Sequence, residues 1–305
     1  MSDMKEIKNR IKSVSDTQKI TNAMYLIAST KLRKAKAALD ETRPYFDSIE
    51  KEIKRIFRIN MNVENQYFFP VKGSVSEDKG AAYLVITADK GLAGPYNQNV
   101  IKRFLEVYKP EINNKIFVVG EYGRHYFESH KIKYDDMFHY TAQNPTLRRA
   151  ASITEKLLDV YESGNVSRLY IVYTDMKAGT NGNVNVNRLL PFHRADFTNH
   201  IPEKAIAHSF EFMPSMSDVL DHIIPSYVSG FVYSALIDSF CGEQNARMMA
   251  MDSANKNAAE LMDNLDLEYN HLRQNAITQE ITEISAGAKA LKSKKTEKMS
   301  VGGIH

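Results

Sequence analysis

The chain has 305 residues, 43% of them hydrophobic and 25% charged, which suits one or two buried cores and excludes intrinsic disorder. Its net charge of +3 gives no bulk-charge case for a nucleic-acid partner. Cys241 is the only cysteine, so no intrachain disulfide can form, and a reducing compartment is expected.

No run of about 18 apolar residues free of charge stands out, so no bilayer span is expected. The start, Met1 to Glu6, carries acids and lacks a hydrophobic signal core, as expected of the mature start of a cytosolic bacterial protein.

Residues 1–58 read as one helix. Apolar residues alternate four and three apart from Ile7 through Ile11, Val14, Tyr25, Ala28, Leu32, Ala35, Leu39, Phe46, Ile49 and Ile53 to Ile56. The register is interrupted only by Gln18, Thr21 and Thr42. A heptad this long predicts a coiled coil. At 1.5 Å per residue it would be roughly 80 Å long and would need a partner helix. Pro44 is expected to kink it. Gln18 and Thr21 either fix the register or mark a place where the seam opens. Lys31, Arg33, Lys34 and Lys36 form a basic run, ordinarily a solvated face.

Residues 59–80, with Pro70, Gly73, Ser74, Ser76 and Gly80, read as a linker. In residues 81–212 the period changes. Tyr83–Thr87, Ile116–Val119 and Leu169–Tyr173 are short buried strands by composition, and Val184–Leu190 alternates like an edge strand. Helices are predicted over Val100–Tyr108, Gly123–Ser129 and Leu147–Tyr161. The alternation predicts a Rossmann-like α/β domain of doubly wound, parallel type.

The turn Asp89–Asn97 follows the first strand, but it lacks the G-x-G-x-x-G and P-loop patterns, and Pro95 removes an amide. No nucleotide site is expected there, and no cofactor. His125, His130 and His139 do not have zinc-ligand spacing. Ser253-Ala254-Asn255-Lys256 matches S-x-x-K without the motifs that accompany it in enzymes, and it falls inside a predicted helix.

Residues 213–291 read as a second long helix. Val219–Cys241 is apolar nearly all round and is expected to be enclosed. Beyond it Ala254, Ala258, Leu261, Leu265, Leu272 and Ala276 predict a seam, continued at Ile277, Ile281, Ile284, Ala288 and Leu291. Two long helices flanking one domain would bury their seams against each other, antiparallel, as a rod on a globular foot. Gly287, between small residues, would make the tip slim. Residues 292–305 are basic and expected to be disordered.

Ile277-Thr278-x-Glu280-x-x-Glu283-Ile284-x-x-Gly287-Ala288 resembles the C-terminal signature of the gamma subunits of F-type ATP synthases. So do Ala246–Met251, Ser253-Ala254 and Tyr269-Asn270. The block Ile20-Thr21 to Met24, with Ala28, Ser29, Lys31, Arg33, Lys34 and Ala35, resembles that family's N-terminal helix. Lys90-Gly91-Leu92, Val172-Tyr173-Thr174 and Leu189 to Phe192 resemble family blocks in the middle. The resemblance implies a rotating central stalk, non-catalytic itself, with catalysis in the beta subunit. Implied partners are the alpha and beta subunits, epsilon and the membrane c-ring, with one copy per complex at the cytoplasmic face of a bacterial plasma membrane. Arg273 and Gln274 would meet a loop of beta. Arg247, Thr278 and Glu280 would join the coupling contacts, with Met24 opposite them. Lys31, Arg33 and Lys34 would meet acidic tips of the surrounding subunits. The residues alone leave two other readings open: a freestanding coiled-coil scaffold, or an enzyme built on the α/β domain.

Overall fold

The computed structural model describes residues 2–60, 63–69, 80–109, 114–176, 182–198, 212–213 and 215–301, with side chains described for these apart from 2, 3, 58 and 290–301. Pro70, Gly73, Ser74 and Ser76 of the expected linker lie outside the described residues. The chain divides into two compact units, one of residues 1–25 with 251–305 and one of residues 26–250.

The elements run α1 (Ser2–Ile59), β1 (Ala81–Ile86), α2 (Tyr96–Val107), β2 (Lys115–Val119), α3 (Glu121–Ser129), α4 (Leu147–Glu162), β3 (Arg168–Asp175), β4 (Asn183–Leu190), α5 (Ala195–Thr198) and α6 (Met216–Val301). Both long helices form as the heptads predict, and they continue through Pro44 and Pro225. Helix α6 runs past the expected end at Leu291 to Val301. Four lysines with Glu297 and Met299 supply good helix formers in that stretch, and the pair Gly302-Gly303 follows it. The disorder expected from 292 is therefore not what the backbone shows up to Val301; residues 302–305 lie outside the described part.

In the unit of residues 26–250 the sheet has four strands in the order β2-β1-β3-β4. β1 pairs in parallel with β2 and β3, and β4 closes one edge antiparallel to β3. The sheet is thus mixed rather than wholly parallel, and the edge character of β4 follows its alternating sequence. Successive side chains point to opposite faces. Leu84, Ile86, Phe117, Val119, Leu169 and Ile171 face one core, which α4 and the enclosed part of α6 complete. Tyr83, Val85, Ile116, Val118 and Val172 face the other, with Val100 and Phe104 of α2 and Phe127 of α3.

The first core takes Leu220, Ile224, Val228, Val232, Leu236 and Phe240 from α6 and Ile53, Ile56 and Phe57 from α1. One window of α6 is apolar enough by composition to suit a membrane, but 61% of that window is buried inside the protein. Val63, Tyr67 and Phe68 are buried in the same core, so part of the expected linker is core-forming. Phe68 meets Phe57 and Phe197 of α5 edge to face there, which explains why a segment within the expected linker is held.

Candidate functional site

In the unit of residues 1–25 and 251–305, α1 and α6 run antiparallel. The Gln18 carboxamide Nε2 donates to the Asn255 carbonyl at 3.3 Å, and the Thr21 hydroxyl donates to Asn255 Oδ1. The polar gap in the α1 heptad is matched by a polar residue at the same level of α6, as a register-fixing contact requires.

On α6 the covered positions include Met251, Ala254, Asn255, Ala258, Ala259, Met262, Leu265, Tyr269, Leu272 and Ala276. Leu261, expected in the seam, is exposed, and Met262 takes that place. Counting outward from Asn255 at equal rise, the N-terminal end of α1 is level with about residues 271–274 of α6. Beyond that level α1 offers no partner. Ile277, Ile281 and Ile284 are 49%, 60% and 72% exposed. They are not the covered seam prolonged. At 100° per residue their stripe is rotated by about 130° from the line through Leu265, Leu272 and Ala276.

The predicted contact residues fall into separate places. Arg273, Gln274, Thr278 and Glu280 are exposed around the base of the isoleucine stripe. The Thr278 hydroxyl donates to the Gln274 carbonyl at 2.9 Å, and among the described residues Arg273 makes no hydrogen bond or ion pair. Met24 is half-buried. The register sets it level with the start of the 251–305 segment, about 40 Å along the helix from Thr278, so it does not stand opposite Thr278 and Glu280.

Lys31 and Arg247 belong to the unit of residues 26–250, and a shared network links them. Lys31 Nζ donates to Gln143 Oε1 at 3.2 Å. Gln143 Nε2 lies 3.3 Å from Glu243 Oε1, and Glu243 accepts from Arg247 Nη1 at 2.6 Å. Arg247 Nη2 donates to the Gly91 carbonyl at 3.1 Å. Arg247 is buried, in contrast to the expected partner contact: its guanidinium holds the turn after β1. Burial raises the Glu243 pKa, and the adjacent Arg247 only partly opposes that. Arg33 and Lys34 are exposed on α1.

This network fills the crevice beyond the carboxyl ends of β1 and β3, where an open α/β sheet ordinarily binds its ligand. Tyr96 and Gly242 complete the plug. A Cβ at Gly242 would come 2.8 Å from Thr174 Cγ2 and 3.5 Å from Tyr96 Cε2, so glycine lets α6 approach the strand. The Asp89 carboxylate accepts from the amides of Glu121, Ala142 and Gln143 at 3.2, 3.1 and 3.3 Å, and from the Thr141 hydroxyl. A carboxylate after the first strand thus ties loops together. Sequence reasoning passed over Asp89, Gln143 and Glu243. The one available signal was the i,i+4 spacing of Glu243 and Arg247.

Of the three histidines, His130 stacks on Tyr126 at 3.9 Å and His125 is exposed. Among the described residues no group of His, Cys, Asp or Glu is placed to hold a metal.

The family model described as ATP synthase matches residues 3–291. The ATP synthase gamma chain of Ruminiclostridium cellulolyticum is 41% identical, over 95% of this chain and 99% of the relative. The gamma chain of Acetobacterium woodii, described as sodium ion specific, is 36% identical over 95% of this chain and 99% of its own. Among solved structures, a chain of the Euglena gracilis mitochondrial ATP synthase, in an assembly of OSCP, F1 and c-ring, aligns with a TM-score of 0.64 at 18% identity, covering 96% of both chains. This chain therefore belongs to the ATP synthase gamma chain family: it is a gamma subunit, part of the central stalk of an enzyme whose catalysis lies in the beta subunit.

Proposed function

We propose that this member of the ATP synthase gamma chain family is a shaft whose unpaired α6 end turns inside a sleeve of alternating alpha and beta subunits. The observation that carries this is the isoleucine stripe. Ile277, Ile281 and Ile284 point away from the seam that α1 covers, and they remain open to water. Burying each would contribute about 1.5–3 kcal/mol, so another subunit gains by enclosing them. Arg273, Gln274, Thr278 and Glu280 form the polar margin of that stripe, suited to a loop of beta.

The stripe covers one side of the helix only. Turning the helix presents different chemistry to each beta subunit, and a differential contact of that kind can bias a site between open and closed states. On α1, Met24, Arg33 and Lys34 are the contacts lower on the shaft, the two cations facing acidic tips of the surrounding subunits. Lys31 serves through its hold on Gln143, and Arg247 serves by fixing the Gly91 turn. The α/β domain rests on the membrane c-ring beside epsilon. The complex holds one copy of the chain, at the cytoplasmic face of a bacterial plasma membrane.

Ile281→Lys combined with Ile284→Lys tests the reading. The isolated chain is expected to keep its fold, because neither residue packs in the covered seam. The assembled complex is expected to lose ion-driven ATP synthesis, or the chain to stop co-purifying with alpha and beta. Full synthesis with both lysines in place contradicts the sleeve.

A further inference from the structure

Helix α4, in the unit of residues 26–250, carries three stripes along its length. Ala150, Ile153 and Leu157 are buried in the first core. Leu147, Thr154 and Leu158 come next around the helix, and Glu155, Asp159 and Glu162 lie beyond them. The second and third stripes border an open cavity of about 450 Å³. Phe46 of α1 and Pro225 of α6 supply more of its apolar wall. The described residues that line it all belong to these three helices.

The acids stand where a helix does not favour them. Glu155 and Asp159 are like charges at i,i+4, and Asp159 and Glu162 sit at the C-terminal end, where the macrodipole favours cations. The last turn of α4 has no basic residue, and among the described residues none of the three acids makes an ion pair. Arg148, on the same side of α4, is two turns away from Glu155. Lys156 holds its ammonium over the rings of Phe138 and Tyr140, at 5.9 and 5.5 Å. Glu162 accepts from the Tyr67 hydroxyl at 2.5 Å, whereas the carboxylates of Glu155 and Asp159 accept no hydrogen bond among the described residues. Thr154 is an independent sign. It is 2% exposed, and its hydroxyl has no hydrogen-bond partner. Thr30, Thr42, Thr278 and Thr282 each donate to the carbonyl one turn back, as helical threonines commonly do. A buried polar group left unpaired costs about 1–3 kcal/mol until something supplies the bond.

We propose that this cavity binds a small amphipathic amine, its ammonium among Thr154, Glu155 and Asp159 and its apolar body on Phe46, Leu147 and Leu158. An ammonium has three donors, which suit two carboxylates and a hydroxyl oxygen. The apolar body gains by leaving water for a wall on which Leu147 is otherwise 41% exposed. An organic cation fits better than a metal ion, because among the described residues no group of acids is placed to hold a metal. The volume falls in the range of small-molecule sites.

The test is calorimetric titration of the full chain at low salt with 2-phenylethylamine, with the neutral 2-phenylethanol and with methylamine. Phenylethylamine is expected to saturate one site, at least about tenfold more tightly than either of the others. Glu155→Gln and Asp159→Asn change exposed residues and are expected to keep the melting temperature while weakening phenylethylamine about threefold each. Thr154→Val removes the unpaired hydroxyl at nearly constant shape. It is expected to hold or raise the melting temperature and to weaken the amine about threefold, leaving phenylethanol unaffected. No saturable binding at about 10 mM, equal affinity for the amine and the alcohol, or indifference to the Glu155 and Asp159 substitutions overturns the proposal.

Discussion

The Thr21 hydroxyl donates to the Asn255 carboxamide oxygen across the helix pair, and the same Asn255 accepts a second contact through its carbonyl from Gln18. This polar rung sets how far α6 extends past α1, and so which residues are left uncovered. Asn255→Ala is expected to lower the unfolding free energy by about 1 kcal/mol, the net value of one such hydrogen bond, measured by urea titration. Combining Thr21→Val with Asn255→Leu removes both partners. That pair is expected to recover the stability and to loosen the register, seen as extra pairings in disulfide trapping between the two helices.

Gly230 of α6 faces Phe46 of α1, and a Cβ there would overlap the ring. In an exposed helix Gly→Ala gains about 1 kcal/mol. Here overpacking, typically about 1–3 kcal/mol, opposes that gain. Gly230→Ala is expected to lower the melting temperature, and adding Phe46→Leu to restore part of the loss. A rise in melting temperature with Gly230→Ala alone would show that the helices separate at no cost.

Glu243 is nearly inaccessible, and its pKa is raised chiefly by burial, with Arg247 opposing. The folded state therefore takes up this proton more readily than the unfolded state does. The stability tied to the group is full below the ordinary glutamate pKa and is lost as pH rises through the folded value. Relative to Glu243→Gln, the wild type is expected to gain stability as pH falls through the window just above the ordinary carboxylate range. Unfolding curves for both proteins across that window check the sign.

Cys241 is buried, and burial pushes its pKa up to about 12, with Asp238 adding to the shift and Lys36 opposing it. At pH 8 only roughly one thiol in ten thousand would be ionised. Iodoacetamide is expected to leave the folded chain unlabelled at pH 8 and to label it fully in denaturant.

Much of this was legible in the residues, because periodicity reports burial. The heptads gave both long helices, and the short β-branched runs gave the strands. What the pattern could not carry was the identity of the seam. On α6 the line through Leu265 and Leu272 and the line through Ile277 and Ile284 share the same four-three spacing. They read as one stripe until the Thr21–Asn255 rung shows where α1 ends. The burial of Arg247 was hidden for a related reason. A cation in a family motif reads as a contact, while its burial depends on Glu243, Gln143 and the Gly91 carbonyl, which come from three distant parts of the chain. Val63, Tyr67 and Phe68 were hidden by the loop-rich composition around them.

The most direct test of the coupling role is the rate of ion-driven ATP synthesis by the assembled complex carrying Arg273→Ala. Arg273 is exposed, so the substitution is expected to change the chain's stability by less than about 0.5 kcal/mol. The account predicts a clearly reduced synthesis rate in a complex that assembles normally. An unchanged rate in that complex would contradict it.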